Sequence, residues 1–330
     1  MVEQADSRVM VGAAKRIPAA GEGRRGIVAA GLAVATAGVL AFHRVVPNSP
    51  GRLGSLVESF LPWVGVVVAL LLVVALVRRS GVALVALLLP VGVWVQGFGG
   101  LLLSGPGPES GVRELVVVQH NVSDENPDPA GTARALVAGG GDLVALEELV
   151  VPALGVYEDV LGAGYPHHVV HGTVGLWSKY PIREQQLVDI RPREFEEGWS
   201  RGLRAVVRTP YGDVAAYVAH LPSVRVGVRG LASSPRDESA RMLGDLVRDE
   251  EVEAVILMGD LNSTVEDRGL APLTSQLNVA ERGFAFSFPA AFPVARIDQV
   301  LARSADVRHI RVLPATGSDH LPVAARVTLR

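Results

Sequence analysis

Cysteine is absent from this 330-residue chain. Its absence excludes a disulfide scaffold, thiolate zinc sites, iron–sulfur clusters and a cysteine nucleophile. It also suits an oxidising compartment, where a stray thiol is a liability. Charge is scarce: 20% of residues are charged and the formal net charge is −3, so no large basic field is on offer to nucleic acid. There is no internal repeat and no low-complexity tract. What the chain has in excess is apolar residues, 49% of the total, too many for a disordered or nucleic-acid-coating protein.

The apolar excess sits at the N-terminal end. Ile27–Phe42 is apolar or small throughout except for Thr36; Leu61–Val77 and Val82–Leu103 are the second and third runs, the third interrupted by Pro90, Gln96 and glycines. Crossing a bilayer as a helix takes about 20 such residues, with roughly 17 tolerated. The first run is the shortest, and His43 and Arg44 extend it by snorkelling. A cleaved signal peptide explains only the first run, and three buried helices of a soluble core is the bland alternative. The sequence therefore predicts three transmembrane helices. Arg8, Lys15, Arg16, Arg24 and Arg25 precede them, and Arg78 and Arg79 occupy the tight turn between the second and third. The positive-inside rule puts both groups in the cytoplasm and everything after the third span outside the cell membrane.

SGPGPESG at residues 104–111 reads as a linker. The expected organisation is a basic cytoplasmic tail over 1–25, a membrane domain over 26–103, the linker, and one soluble domain over 112–330, of ordinary single-domain size. In that domain short β-branched runs alternate with helical patterns. Glu114–Gln119, Asp142–Leu146, Val169–Trp177, Leu203–Val207, Val214–Ala219, Val255–Met258, Arg296–Leu301, His309–Leu313 and Val323–Leu329 read as strands. Asp128–Pro129 and Ser234–Pro235 start helices. This is a strand-rich α/β class with several antiparallel neighbours.

Polar residues gather beside those strands. Asn121 follows ELVVVQH, Glu148 follows DLVALE, His220 follows DVAAYVA, and Asp260 and Asn262 follow VILMG. Asp298 lies in RIDQVL, and Asp319 and His320 precede LPVAARV. Strand ends in α/β sheets open into one crevice where ligands bind. Hard oxygen donors without cysteine suit magnesium, calcium or manganese rather than zinc. Histidines beside such a cation suit phosphate ester chemistry, in which a water must be oriented and developing charge neutralised. Taken singly each signal is a common turn residue or solvated histidine; their joint order carries the weight.

From about Leu115 to Leu329 the chain resembles the endonuclease/exonuclease/phosphatase superfamily, the deoxyribonuclease-like magnesium-dependent phosphodiesterases. The matching stretches are QHNV (119–122), DLVALEEL (142–149), GTVGLWSKYPI (172–182), VAHLP (218–222), ILMGDLNS (256–263), RIDQVL (296–301) and GSDHLPV (317–323). The resemblance implies a four-layer α/β/β/α sandwich, two mixed β-sheets flanked by helices. It makes Asn121 and Glu148 the metal-proximal pair, with Glu148 the direct carboxylate ligand and Asp319 close to the metal. It has Asp260 orient or deprotonate the attacking water and Asn262 donate to a phosphate oxygen. His220 and His320 flank the phosphoryl group, and Asp298 holds His320 in the useful tautomer. Whether Asp260 or His320 is the general base stays open. The cation implied is Mg2+, with Mn2+ or Ca2+ as alternatives.

The chain departs from the pattern at three places. Glu147 stands where the family usually has Gln, and strand alternation turns it away from the site. His120 stands where an aromatic is frequent, and Gln299 where His is common. The loops also read as short. His167, His168 and His171 resemble a metal cluster, but alternation splits them. Trp199 reads as a loop anchor rather than a base-stacking platform; Arg201 and Arg204 read by default as surface arginines, with one of them able to reach a substrate phosphate as the alternative.

The function expected is a membrane-anchored, extracytoplasmic, metal-dependent hydrolase of phosphoric esters. Its substrate is nucleic acid, a phospholipid headgroup or a small phosphorylated metabolite, the lipid bilayer is a partner, and no protein partner is read. The alternative is an inactive membrane-anchored binding module of the same fold, which predicts an eroded constellation. A channel or transporter has little support, because the spans hold no Asp, Glu or Lys.

Overall fold

The computed structural model describes residues 20–103, 113–228 and 230–330, with the backbone alone given for residues 20–25 and Val226. The expected tail up to residue 19 and the expected 104–111 linker lie outside the described residues.

Four helices come first: α1 (Ala20–Phe42), α2 (Leu53–Ser59), α3 (Val64–Val77) and α4 (Gly81–Phe98). Two stretches are long and apolar enough on their own to cross a membrane, Gly26–Val45 and Gly81–Leu102. A third passes only if Leu53–Ser59 and Leu61–Val77 count as one span, and that pair is bent by 59°. The sequence predicts Leu61–Val77 as a full span. Pro62 instead sits in a 3-10 turn, Leu61–Trp63, so the regular helix starts at Val64. Its 14 residues rise about 21 Å, short of a hydrocarbon core of about 30 Å. The three long helices meet through small side chains, Ala29, Ala33, Ala75 and Ala83 with Val68 and Leu87, which let backbones approach closely. Leu70, Val73, Val85 and Leu88 point outward and exposed.

The remaining elements run β1 (Glu114–Asn121), α5 (Pro129–Ala138), β2 (Leu143–Glu147), α6 (Val151–Gly162), β3 (His167–His171), β4 (Val174–Ser178), β5 (Ile182–Leu187), β6 (Gly202–Thr209), β7 (Gly212–Ala219), β8 (Arg225–Gly227), β9 (Gly230–Ala232), α7 (Ser234–Arg248), β10 (Ala254–Asp260), α8 (Ala271–Thr274), β11 (Asp298–Arg303), β12 (Ala305–Val312) and β13 (Val323–Leu329). The expected single strand Val169–Trp177 is two, because Gly172 takes a left-handed backbone (φ +57°) and reverses the chain. One sheet has the order β12-β13-β1-β2-β4-β3, the other β11-β10-β7-β6-β5. Each contains one parallel pair, β1 with β2 and β7 with β10, among antiparallel neighbours. The two sheets pack face to face over a shared apolar layer, and helices cover both outer faces. This is the four-layer sandwich with two mixed sheets.

The helical part is built onto the sandwich by polar contacts. Arg268 Nη2 and Nε donate to the two oxygens of Glu58 at 2.7 and 2.8 Å, and its other guanidinium nitrogen donates to the Val46 carbonyl at 3.0 Å. His43 Nδ1 lies 3.0 Å from the same carboxylate. Arg52 pairs with Asp237 at 2.8 Å, and Trp63 Nε1 donates to the Val294 carbonyl at 2.7 Å. Trp63 precedes α3 while Arg78 and Arg79 follow it, so the arginine turn lies on the order of 20 Å from the sandwich. Glu58 is fully buried, so Arg268→Ala leaves its charge with His43 and the backbone N–H of residue 268, without the guanidinium. The full chain in detergent should lose on the order of 3 kcal/mol of stability, read as a lowered Tm, and adding Glu58→Gln should restore part of it.

Candidate active site

The polar cluster is the continuation of the apolar layer between the sheets. In β1, Leu115 and Val117 point into that layer, so Gln119 and Asn121 do too. In β2 the row is Leu143, Ala145, then Glu147; in β7 it is Val214, Ala216, Val218, then His220; in β10 it is Ile256, Met258, then Asp260. Because β1 and β2 are parallel, as are β7 and β10, all four rows end at the same edge. β11 and β13 run antiparallel to their neighbours and begin there, bringing in Asp298 and His320. Gly259 is required at this edge: its φ is +154°, and a Cβ would lie 1.9 Å from the Ala219 carbonyl oxygen.

Asp260 Oδ2 is the hub. Asn121 Nδ2 donates to it at 3.1 Å and to Glu148 Oε1 at 3.0 Å, joining the two sheets. His220 Nε2 lies 3.6 Å from Asp260 Oδ2 and 3.8 Å from Glu148 Oε1. His320 Nε2 lies 3.7 Å from Asp260 Oδ2, while its Nδ1 meets Asp298 Oδ2 at 2.9 Å. Ser287 Oγ donates to that same Asp298 oxygen at 2.5 Å, and Gln119 Nε2 to the other at 3.1 Å. Asn262 donates its backbone N–H to Asp260 Oδ1 and one amide hydrogen to the Leu221 carbonyl, each at 2.9 Å. Seven of the eight expected residues thus meet in one cluster of hydrogen bonds and close charged contacts. Asp319 is exposed, with no side-chain hydrogen bond or ion pair among the described residues; its charge is felt at His320. Asp260, Asp298 and His320 offer ligand atoms within 4.8 Å of one another, a buried group that could hold a metal ion.

Burial and charge set the protonation states. Burial works against a charged His320, but Asp298 and Asp260 outweigh it and lift the imidazole to about 10. Burial opposes ionisation of Asp298 as well, yet His320 and the bonds from Ser287 and Gln119 hold it below the usual carboxylate range. Asp260 is raised to about 7 by burial and by Asp298, against the pull of His320. His220 is pushed well below its ordinary value by burial, then by Arg201 and His320. The site therefore holds an imidazolium paired with a carboxylate, a neutral imidazole, and an acid poised near neutrality.

Glu147 differs from expectation. It faces the inter-sheet layer, fully buried, and accepts from Gln119 Nε2 at 2.7 Å. Alternation puts Glu147 and Glu148 on opposite faces only where both lie in a strand. The strand ends at Glu147, and Glu148 takes a left-handed backbone (φ +59°) that brings its side chain back over the site. Burial, then Asp298 and Asp260, raise Glu147 well above the carboxylate range, which favours its neutral form.

Arg201 was missed. Its Nη1 lies 3.0 Å from His220 Nδ1 and 3.3 Å from Nε2, and its guanidinium carbon sits 5.5 Å from the Trp199 ring centre. A signal for it existed: the Pro210–Tyr211 turn pairs Thr209 with Gly212 and hence Gly202 with Ala219, which places Arg201 opposite His220. Arg201, Trp199, Phe195 and Arg225 line a cleft of about 520 Å³ beside the site. Trp199 also packs on the core as an anchor, and Arg204 is turned away onto Glu250. Of the three histidines, His168 stacks on Trp177 at 5.7 Å, and no metal group forms there among the described residues. His120 and Gln299 point to the opposite sheet faces, onto Thr316 and Arg296.

Solved structures share this architecture. Beta toxin from Staphylococcus aureus with bound magnesium ions aligns with a TM-score of 0.53 at 15% identity, covering 66% of this chain and 100% of that one. Sphingomyelinase C from Streptomyces griseocarneus aligns at 0.51 and 18%, covering 66% and 99%. D. rerio TDP2 complexed with single-strand DNA product aligns at 0.54 and 17%, covering 65% and 98%. No curated protein matches the sequence. The Endonuclease/Exonuclease/phosphatase family profile matches residues 118–320, which contain every residue of the cluster described above. The chain belongs to the endonuclease/exonuclease/phosphatase family.

Proposed function

We propose that the chain is a membrane-anchored, extracytoplasmic, divalent-metal-dependent hydrolase of phosphoric esters. The observation that supports it best is the meeting of Asn121, Glu148, His220, Asp260 and His320 in one cluster, in protonation states suited to water attack on phosphorus. Family members generally hydrolyse phosphodiesters, and the fold neighbours include a sphingomyelinase, a DNA-product complex and a magnesium-bound toxin.

The donors fit a hard cation, since they are carboxylate and amide oxygens without sulfur. Glu148 and Asn121 would hold it, and the Glu148 side chain is 28% exposed, which leaves room for waters and substrate oxygens. Asn121 now aims its NH2 between the two carboxylates, so presenting its oxygen to an ion takes a turn of the amide. Asp319 adds negative charge at the rim. Mg2+ is the reading, with Mn2+ or Ca2+ as alternatives; when bound, the ion supplies Lewis acidity toward phosphate oxygens.

Asp260, ionised above about pH 7, takes one proton from the attacking water. The oxygen of that water bonds to phosphorus as the bond to the leaving oxygen breaks, and the leaving oxygen takes a proton from solvent. His320 is already protonated, so it is a poor base and instead faces the charge that builds on the phosphoryl oxygens. Arg201, His220 and the second amide hydrogen of Asn262, which has no partner among the described residues, face the same oxygens. Asp298 positions His320.

The full chain in detergent should hydrolyse bis-para-nitrophenyl phosphate with Mg2+ or Mn2+, lose that activity in EDTA and regain it on adding metal. Activity indifferent to EDTA would overturn the metal reading. A reporter fused after Arg330 should signal only from outside the membrane; a cytoplasmic signal would overturn the location.

A further inference from the structure

The candidate membrane spans and the catalytic sandwich share one groove of about 340 Å³ with an almost wholly apolar lining. One wall is α3 with Val66 and Ala69, the other is α4 with Val91 and Val95, and Phe284 and Phe286 form the floor. Val66 and Val95 are each about half exposed, so the groove opens sideways, on the faces of helices whose outward residues are apolar. In a bilayer that opening gives onto hydrocarbon. The floor is a row of rings running from one helix to the other: Trp94 to Phe284 at 6.4 Å, Phe284 to Phe286 at 5.4 Å, and Phe286 to Trp63 at 5.4 Å.

The same segment reaches the catalytic centre. Two residues beyond Phe286, at most about 7 Å along the chain, the Phe288 ring lies 4.8 Å from the His320 ring. Between them, Ser287 donates to Asp298. The stretch Phe284–Phe288 thus has one end in an apolar groove between the candidate spans and the other against the imidazolium of the site. A ligand that spans both ends carries a hydrocarbon tail and a phosphate ester. A nucleotide chain has no use for the first, and a free sugar phosphate has nothing to place in it.

Resting on the hydrolase reading above, we infer that the groove holds an acyl chain of a membrane lipid while the phosphate ester of that lipid sits at Asp260 and His320. The experiment uses the full chain in detergent and para-nitrophenyl alkyl phosphates with alkyl groups from ethyl to octyl. Each methylene that enters the groove should lower KM, by up to about four-fold. Ala69→Trp and Val95→Trp fill the groove from opposite walls and should flatten that series toward the ethyl value. Turnover of the ethyl ester reports whether each variant is folded. The same chain-length series in the wild type and in both folded variants would overturn the inference and leave the hydrolase reading intact, because micelle partitioning alone gives that result. A lower KM for thymidine 5′-para-nitrophenyl phosphate than for the octyl ester would overturn it in favour of a nucleic acid. Failure of the wild type to cleave any of these esters with metal present would remove the hydrolase reading itself and the inference with it.

Discussion

Asp260→Asn should lower kcat/KM on bis-para-nitrophenyl phosphate by about 10³-fold or more while leaving the fold intact. The carboxylate is the point where both histidines and Asn121 meet, and the amide that replaces it takes no proton from water. Asn262 N–H still finds a side-chain oxygen to donate to. Stability should hold or rise, because burial disfavours the charge of Asp260, as its raised pKa records, and the variant removes a desolvated acid. The measurements are steady-state kinetics and Tm on the same preparation. Loss of activity with unchanged Tm assigns Asp260 to chemistry; wild-type activity would place the reacting phosphate elsewhere in the chain. His320→Ala should lose a similar factor, and the double variant little more than either single one, because groups that act on one transition state are not additive.

Why so much of this site was legible follows from the strands. Each inward row of Val, Ala, Leu or Met ends in a polar residue, and a sequence read with period 2 shows where the row stops: Val218 then His220, Met258 then Asp260. The same rule failed one residue past a strand end. At Glu148 the left-handed backbone breaks the alternation, and Glu147, expected to face away, lies in the inter-sheet layer beside Gln119. Nothing in the local composition marks that switch. Arg201 failed for a different reason: its place depends on hairpin register, which has to be counted back from the turn at Pro210–Tyr211. The junction was illegible altogether. Glu58 and Arg268 are 210 positions apart and look like ordinary loop charges until packing removes the water around Glu58. Hydropathy located the apolar helices that are candidate spans, but it could not register that Pro62 delays α3 to Val64 and leaves the middle candidate dependent on a bent pair.

Asp298→Asn tests whether the imidazolium is what the chemistry uses. His320 is held protonated up to about pH 10 because Asp298 and Asp260 outweigh its burial. A function that requires the imidazolium is therefore present below that pH and lost as pH rises through it. Asparagine at 298 removes the nearest of the two charges, so burial dominates and the pKa of His320 falls toward its ordinary value of about 6.5. The alkaline limb of kcat/KM should then move down by at least about two pH units, and the variant should be more impaired at pH 8.5 than at pH 7. Stability follows the same sign. The raised pKa of His320 stabilises the folded wild type fully below about pH 6.5, and that contribution is lost between there and about pH 10. The lowered pKa of Asp298 acts the other way, contributing above the ordinary carboxylate range and fading as acid is added. Tm of the wild type should therefore decline from pH 6.5 to 10 through this pair, and Asp298→Asn should flatten that decline. A uniform drop in rate with an unmoved alkaline limb would mean that Asp298 only supports the loop before β13, and that the charge on His320 has no part in catalysis.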